Sequence, residues 1–157
     1  MERFSGACEP FASVDVSEMA AWIAAISFSE WHQQHPIDEH LRPAMMTDLS
    51  WHGFGVEAAA IVGLLMGYFP GCEVHQLMLS VVMPGHSIPP HKDGQPPNWI
   101  SRVHVPLISN DNAFFYSRGN PYRMLPGLAY KVNTEAEHAI ANRGETPRIH
   151  FMWDVRG

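Results

Sequence analysis

Pro84-Gly85-His86-Ser87-Ile88-Pro89-Pro90-His91-Lys92-Asp93-Gly94 is the stretch on which the reading of this chain turns. It lies between two β-prone runs and opens on the turn dipeptide Pro84-Gly85. On extended backbone, residues i and i+2 face the same side, and the His91 imidazole and Asp93 carboxylate can converge on one cation. Two histidines and one carboxylate on one side of a metal leave three adjacent positions open, the arrangement of non-haem iron(II) oxygenases. Alone, the His-x-Asp pattern is weak, because chance places roughly 0.4 such matches in a chain of this composition.

Outward from this stretch the second half of the chain has one texture. Short β-prone runs, Val74–Met83, Arg102–Ile108, Ala113–Tyr116, Leu128–Val132, His138–Ala141 and Arg148–Val155, are separated by Pro/Gly turns. Nine of the 13 prolines fall between Pro84 and Pro147. No helix-length segments part the strands, so the pattern predicts an antiparallel β-sandwich or barrel rather than a parallel α/β fold. The first half reads as mostly helical. Asp15-Val16-Ser17-Glu18 has the form of a capping box, with Asp15 as N-cap, and Met19, Trp22, Ile23 and Ile26 continue a helical stripe to about Ser27. Val56–Tyr68 is a second helix ended by Pro70-Gly71. Between them Ser29–Phe54, with Trp31, His32, His35, His40, Trp51 and His52, has no clean period and reads as irregular with at most a short strand.

Composition narrows the function classes. The chain of 157 residues is 46% hydrophobic, enough for one core, and the expected organisation is a single domain over 1–157. Within it, 1–73 forms a mostly helical part and 74–157 the catalytic β core. The net charge is −6 and no basic run occurs, which argues against nucleic acid as a partner. The longest apolar stretch, Val56–Phe69, is too short for a membrane span. Two cysteines without ladder spacing and a polar start suit a cytoplasmic protein without disulfides.

The downstream pieces raise His91 and Asp93 from a motif to a site. His138 opens the run His-Ala-Ile-Ala-Asn, and ten residues later Arg148 opens Arg-Ile-His-Phe-Met-Trp-Asp. An arginine beside a dihistidine–carboxylate site suits a dicarboxylate cosubstrate, whose far carboxylate a guanidinium can grip at two points. From Leu77 to Asp154 the sequence resembles the aspartyl/asparaginyl β-hydroxylase-like branch of the Fe(II)/2-oxoglutarate oxygenases. The resemblance runs through Leu77–Val82, Pro84-Gly85, the His-x-Asp, Arg102–Leu107, Gly127…Asn133, His138…Asn142 and Arg148…Asp154. It implies a distorted double-stranded β-helix, a jelly-roll, cupin-like core with N-terminal helices packed against it. It implies His91, Asp93 and His138 as iron ligands, and Arg148 with Ser80 at the distal carboxylate of 2-oxoglutarate. Arg102 and His104 would contact its iron-chelating end. The expected cofactors are Fe(II), 2-oxoglutarate and O2, with ascorbate as a stimulant. The expected reaction hydroxylates an aliphatic carbon of a free amino acid or of an Asp, Asn or Pro-type peptidyl residue, with release of succinate and CO2. Some peptidyl members lack the carboxylate ligand, which Asp93 supplies here.

Two other readings stay open at the level of sequence. A cupin metalloenzyme or small-molecule-binding protein would share the spacing of His91, Asp93 and His138. It would want more histidines and a Glu soon after the first pair, however, and the next acid after Asp93 is Asp111. A β-sandwich interaction module with structural zinc would want four closed ligands, and neither Cys8 nor Cys72 is near in sequence. His75, His86 and His150 are read first as hydrogen-bonded or surface residues, with His150 a candidate for the cosubstrate pocket. Trp99 is read as packing, or as a loop residue over the site. Arg118, Arg123 and Arg143 are candidate readers of a substrate carboxylate.

Overall fold

The computed structural model describes residues 1–25, 44–47 and 55–157. The strands are β1 (Cys8–Ser13), β2 (Ala44–Thr47), β3 (Glu73–Val82), β4 (Ser87–His91), β5 (Trp99–Ile108), β6 (Ala113–Ser117), β7 (Asn120–Tyr122), β8 (Leu128–Val132), β9 (His138–Asn142) and β10 (Arg148–Arg156). The helices are α1 (Ser17–Ala24) and α2 (Gly55–Met66). A six-stranded sheet has the order β1-β8-β5-β10-β3-β2, and a four-stranded sheet the order β4-β9-β6-β7, with antiparallel pairing throughout. Two antiparallel sheets with these crossovers make the expected jelly roll.

Strand alternation decides what the six-stranded sheet shows on each side. On one face, Leu79, Val81, Val103, Val105, Ile149, Phe151, Trp153 and Val155 join a core with Met19 and Ile23 of α1 and Ala58, Ile61 and Leu65 of α2. The helices therefore cover this face. The other face carries Ser80, Val82, Arg102, His104, Arg148, His150 and Asp154. It meets the four-stranded sheet around a smaller cluster of Cys8, Val82, Phe115, Met124, Tyr130, Val132 and Ile140. One side is a hydrophobic seal and the other a polar interior, as period-2 alternation requires of a sheet covered on both sides. Asn142 on β9 donates to the Val82 carbonyl at 2.9 Å and stitches the two sheets together.

Several expectations shift in detail. α1 begins at Ser17, not after an Asp15 cap: Val16 holds the N-cap position without a side-chain bond, and Asp15 accepts from the Ser17 N–H and Oγ at 2.9 and 2.7 Å. The Asp15 carboxyl is lowered in pKa by those two bonds. Of the apolar stripe, Met19 and Ile23 are buried while Trp22 is 46% exposed, because only the i, i+4 pair faces the sheet. Ile26 and Ser27 lie outside the described residues. α2 stops at Met66, two residues short of Tyr68, with tighter bonds from Tyr68 to Leu65 and Phe69 to Met66.

Three strands escaped the sequence. β1 and β4 carry prolines, which are tolerated because each is an edge strand. β7 has only three residues and is made by the turn at Arg118-Gly119, both at positive φ. Those left-handed values suit a two-residue hairpin turn. β2 falls in the segment read as irregular with at most a short strand, and Trp31, His32, His35, His40, Trp51 and His52 lie outside the described residues.

Candidate active site

His91 ends β4 and His138 begins β9, and the two are directly paired across that ladder. Their ring centroids are 4.2 Å apart. Asp93, two residues past the strand, is anchored by its backbone N–H to the Thr134 carbonyl at 2.9 Å. Its carboxylate comes 3.6 Å from His91 Nε2. One ligand atom from each of His91, Asp93 and His138 lies within 4.8 Å of the others, a group able to hold a metal ion.

The proton positions of both rings follow from local bonds. His91 Nδ1 meets the Pro89 carbonyl at 2.8 Å, and His138 Nδ1 meets the Ala136 carbonyl at 2.9 Å. A carbonyl only accepts, so each Nδ1 carries a hydrogen, and in the neutral ring Nε2 is then the atom with the free lone pair. That is the outer hydrogen bond that fixes the tautomer of a ligating histidine. Burial lowers the pKa of His138 against the pull of its Ala136 bond, and His91 adds to the lowering. The neutral, ligating form is favoured.

Behind the ligands lies an arginine–aspartate clamp. Arg102 donates from Nε and Nη2 to the two oxygens of Asp154, both at 2.9 Å, and from Nη1 to Asp93 Oδ2 at 2.7 Å. Asp154 is fully buried and also accepts from Trp99 Nε1 at 3.1 Å. Burial alone would lower the Arg102 pKa, but the two carboxylates outweigh it and raise it. Arg102, expected at the chelating end of the cosubstrate, thus has all three guanidinium nitrogens on protein carboxylates. Trp99 is a buried strand residue that holds Asp154, not a loop residue over the site.

Farther along the same face, Arg148 is 2% exposed and no acid pairs with it among the described residues. Its Nη1 is buried without a partner. Burial pushes its pKa down to about 9, which leaves it cationic at neutral pH. Ser80 and His150 face it from register-matched positions of β3 and β10. His104 is 3% exposed, and its Nδ1 lies 3.4 Å from His150 Nδ1. Burial first, and Arg148 next, hold both His104 and His150 well below the usual histidine pKa.

The remaining candidates scatter. His86 bonds the Pro84 carbonyl at 3.0 Å and His75 is exposed. Arg123 pairs with Asp111, and Arg143 is exposed. Arg118 is different: with Lys92, Asn133, Glu135, Ala136 and Glu137 it lines a cavity of about 550 Å3. Lys92 and Glu137 are chain neighbours of the three ligand residues, so this cavity adjoins them. Sequence reasoning missed Asp154 as the anchor of Arg102, because nothing local marks an acid on a strand 52 residues away as its partner.

Fold and site together define the class, a jelly roll that brings a His-Asp-His group able to hold a metal to the edge of its smaller sheet. Residues 57–157 match the model of the aspartyl/asparaginyl beta-hydroxylase family, and the chain belongs to that family. The match begins inside α2, some way before the resemblance visible by eye. Among solved structures, the chain is similar to a Pseudomonas putida prolyl-4-hydroxylase at 13% identity, covering 97% of this chain and 93% of that one, with a TM-score of 0.67. A viral collagen prolyl hydroxylase from Paramecium Bursaria Chlorella virus-1, solved with 2OG, matches at 10% identity, with 98% and 97% coverage and a TM-score of 0.60. A predicted oxalate decarboxylase from Thermotoga maritima matches at 14% identity, with 85% and 99% coverage and a TM-score of 0.51. These likenesses are of fold. No curated protein matches the chain by sequence.

Proposed function

We propose that this chain is an Fe(II)- and 2-oxoglutarate-dependent oxygenase. Its substrate in this reading is a free amino acid or an Asp, Asn or Pro-type peptidyl residue, hydroxylated at an aliphatic carbon. The observation that carries the reading is a buried, acid-free Arg148 behind a three-residue metal-ligand group. A buried cation without an anion is costly, and a dicarboxylate bound at the metal would supply the anion. The ligand set fits ferrous iron: two imidazoles and one carboxylate are the donors a non-haem iron(II) site uses.

When bound, iron(II) and 2-oxoglutarate supply the oxidising chemistry with O2, the cosubstrate leaving as succinate and CO2 and ascorbate keeping the metal reduced. The chain's own residues bind and orient. His91, Asp93 and His138 hold the metal, and the Pro89 and Ala136 carbonyls keep both rings in the ligating tautomer. Arg102 serves the chelating end by fixing Asp93 from behind. Arg148, with Ser80 beside it, takes the distal carboxylate. If His104 faces His150 with its Nδ1–H, its Nε2 is an acceptor, so the expected contact to the chelating carboxylate needs the opposite tautomer. The Lys92/Arg118 cavity offers cations for a substrate carboxylate and Glu135 and Glu137 for an amine.

One domain over residues 1–157 suits this reading, since β1 completes the six-stranded sheet and α1 seals its outer face beside α2. A cupin activity without 2-oxoglutarate would leave Arg148 with no task. The test is succinate release from 2-oxoglutarate with Fe(II), ascorbate and O2, run on the native chain and on Arg148→Ala. Turnover by the native chain and its loss in the variant are expected. Turnover indifferent to Arg148, or no 2-oxoglutarate binding at all, sinks the proposal. A screen of free amino acids and Asp, Asn and Pro peptides for the mass gain of one oxygen then identifies the substrate.

A further inference from the structure

On the inner face of β10, Arg148 Nη1 and His150 Nε2 are buried hydrogen-bond donors without a partner among the described residues. Both residues are essentially closed to solvent, at 2% and 0% exposure. They are spaced i, i+2 on one strand and project to the same side. That His150 nitrogen is a donor follows from its neighbour. Arg148 Nη2 lies 3.0 Å from His150 Nδ1. A guanidinium has no acceptor to offer, so His150 Nδ1 accepts, and a neutral ring then carries its one proton on Nε2. Arg148 therefore does two things at once. It brings an unpaired positive charge, and it turns the next inward residue into an N–H donor.

We propose that His150 is a further protein donor to the distal carboxylate of 2-oxoglutarate, beside Arg148 and Ser80. Its Nε2–H takes one carboxylate oxygen while the Arg148 Nη1–H takes the other. The inference rests on the cosubstrate reading above and deepens it. A carboxylate is the smallest group with two adjacent acceptors and the charge Arg148 needs. A 2-oxo acid without that carboxylate leaves two buried donors orphaned instead of one, so His150 sharpens selectivity for the dicarboxylate.

The test is calorimetric titration of the full chain, loaded with Mn(II) and kept free of oxygen. The two titrants are 2-oxoglutarate and 2-oxopentanoate, which lacks the distal carboxylate. Phe at position 150 removes the donor, and Gln returns an amide N–H to it. His150→Phe is expected to weaken 2-oxoglutarate binding by about 10- to 100-fold, the range for a bond to a charged acceptor. It should leave 2-oxopentanoate nearly unchanged, and His150→Gln should recover most of the loss. Binding of 2-oxoglutarate unaltered in His150→Phe, or equal loss of both acids, overturns the proposal.

A second measurement needs no variant. In the native chain with 15N-labelled histidine, the His150 ring should show the Nε2–H pattern, and that proton should move downfield on adding 2-oxoglutarate. An Nδ1–H pattern, or a resonance that stays in place as a buried water on Nε2 would leave it, overturns the proposal. A native chain that binds Mn(II) but no 2-oxoglutarate overturns the cosubstrate reading and this inference together. Binding that is blind to His150 overturns this inference alone.

Discussion

The two sheets build their halves of the site by different physics. On the four-stranded sheet, His91 and His138 are preset by their own neighbourhoods. Each ring nitrogen bonds the carbonyl two residues back, whatever the rest of the fold does. On the six-stranded sheet the local bond is from Arg148 to His150, two residues on, and the rest of the environment of Arg148, His150, His104 and Ser80 comes from other strands. Their state is set by which strands lie beside β10 and by how completely water is excluded. In the proposed reading the metal side is set within short segments, and the anion side mostly by register. Arg102 joins them, gripping Asp154 on β10 and Asp93, the third candidate metal ligand.

If the two halves are separable, Arg148→Met should produce the largest and most one-sided effect. Affinity for 2-oxoglutarate is expected to fall more than about 100-fold, since a charged two-point contact is lost. Mn(II) affinity should barely change. The metal-free fold should be no weaker, and more stable by about 1–3 kcal/mol, because a buried unpaired charge is replaced by an apolar chain. Calorimetry and urea unfolding read the three quantities. Loss of metal binding in this variant would break the comparison.

Asp154→Ala should next reveal the joint between the halves. Removing one partner of the buried Arg102–Asp154 pair is expected to cost about 3–5 kcal/mol in urea unfolding. Mn(II) affinity should fall by roughly 10- to 100-fold as Asp93 loses its fixed support. Stability unchanged within a few tenths would mean that the clamp contributes nothing.

A smaller effect belongs to pH. His104 and His150 are held neutral by burial, with folded pKa values below that of the unfolded chain. Their contribution is complete above about pH 6.5 and is lost as pH falls, because the unfolded state takes up protons first. Each residue should subtract up to about 1.4 kcal/mol per pH unit there. Urea unfolding of the metal-free protein from pH 7.5 to 5 measures it, and a His104→Asn, His150→Asn pair should flatten the slope. The smallest effect is Glu135→Gln, which loosens an exposed ion pair to Arg3 and should cost under about 1 kcal/mol by thermal unfolding.

Legibility in the sequence followed the same divide. β8 (Leu128–Val132) starts and ends where its β-prone run does, and β9 and β10 begin at His138 and Arg148 as read. Each of these has strong β-formers between turn residues. β1 and β4 were hidden by proline, which propensity penalises but an edge position permits. α1 was placed one residue early because Asp15 bonds Ser17 in a turn before the helix instead of capping it. His91 and Asp93 could be nominated from spacing, since i+2 neighbours share a face on any extended chain, while His138 came with the family resemblance.

By itself the sequence determined the strand-and-turn texture, the convergence of His91 with Asp93, and an arginine at the head of the last strand. Those are properties of short segments, set by backbone geometry and side-chain type. Only the tertiary structure decided that Arg148 would be sealed from water with no acid beside it among the described residues, whereas the bond that turns the His150 proton away is local. Only the tertiary structure gave Arg102 to Asp154, leaving Asp93 held from behind. Burial and partnership depend on strands far apart in the chain meeting in one register, and no local pattern carries that information.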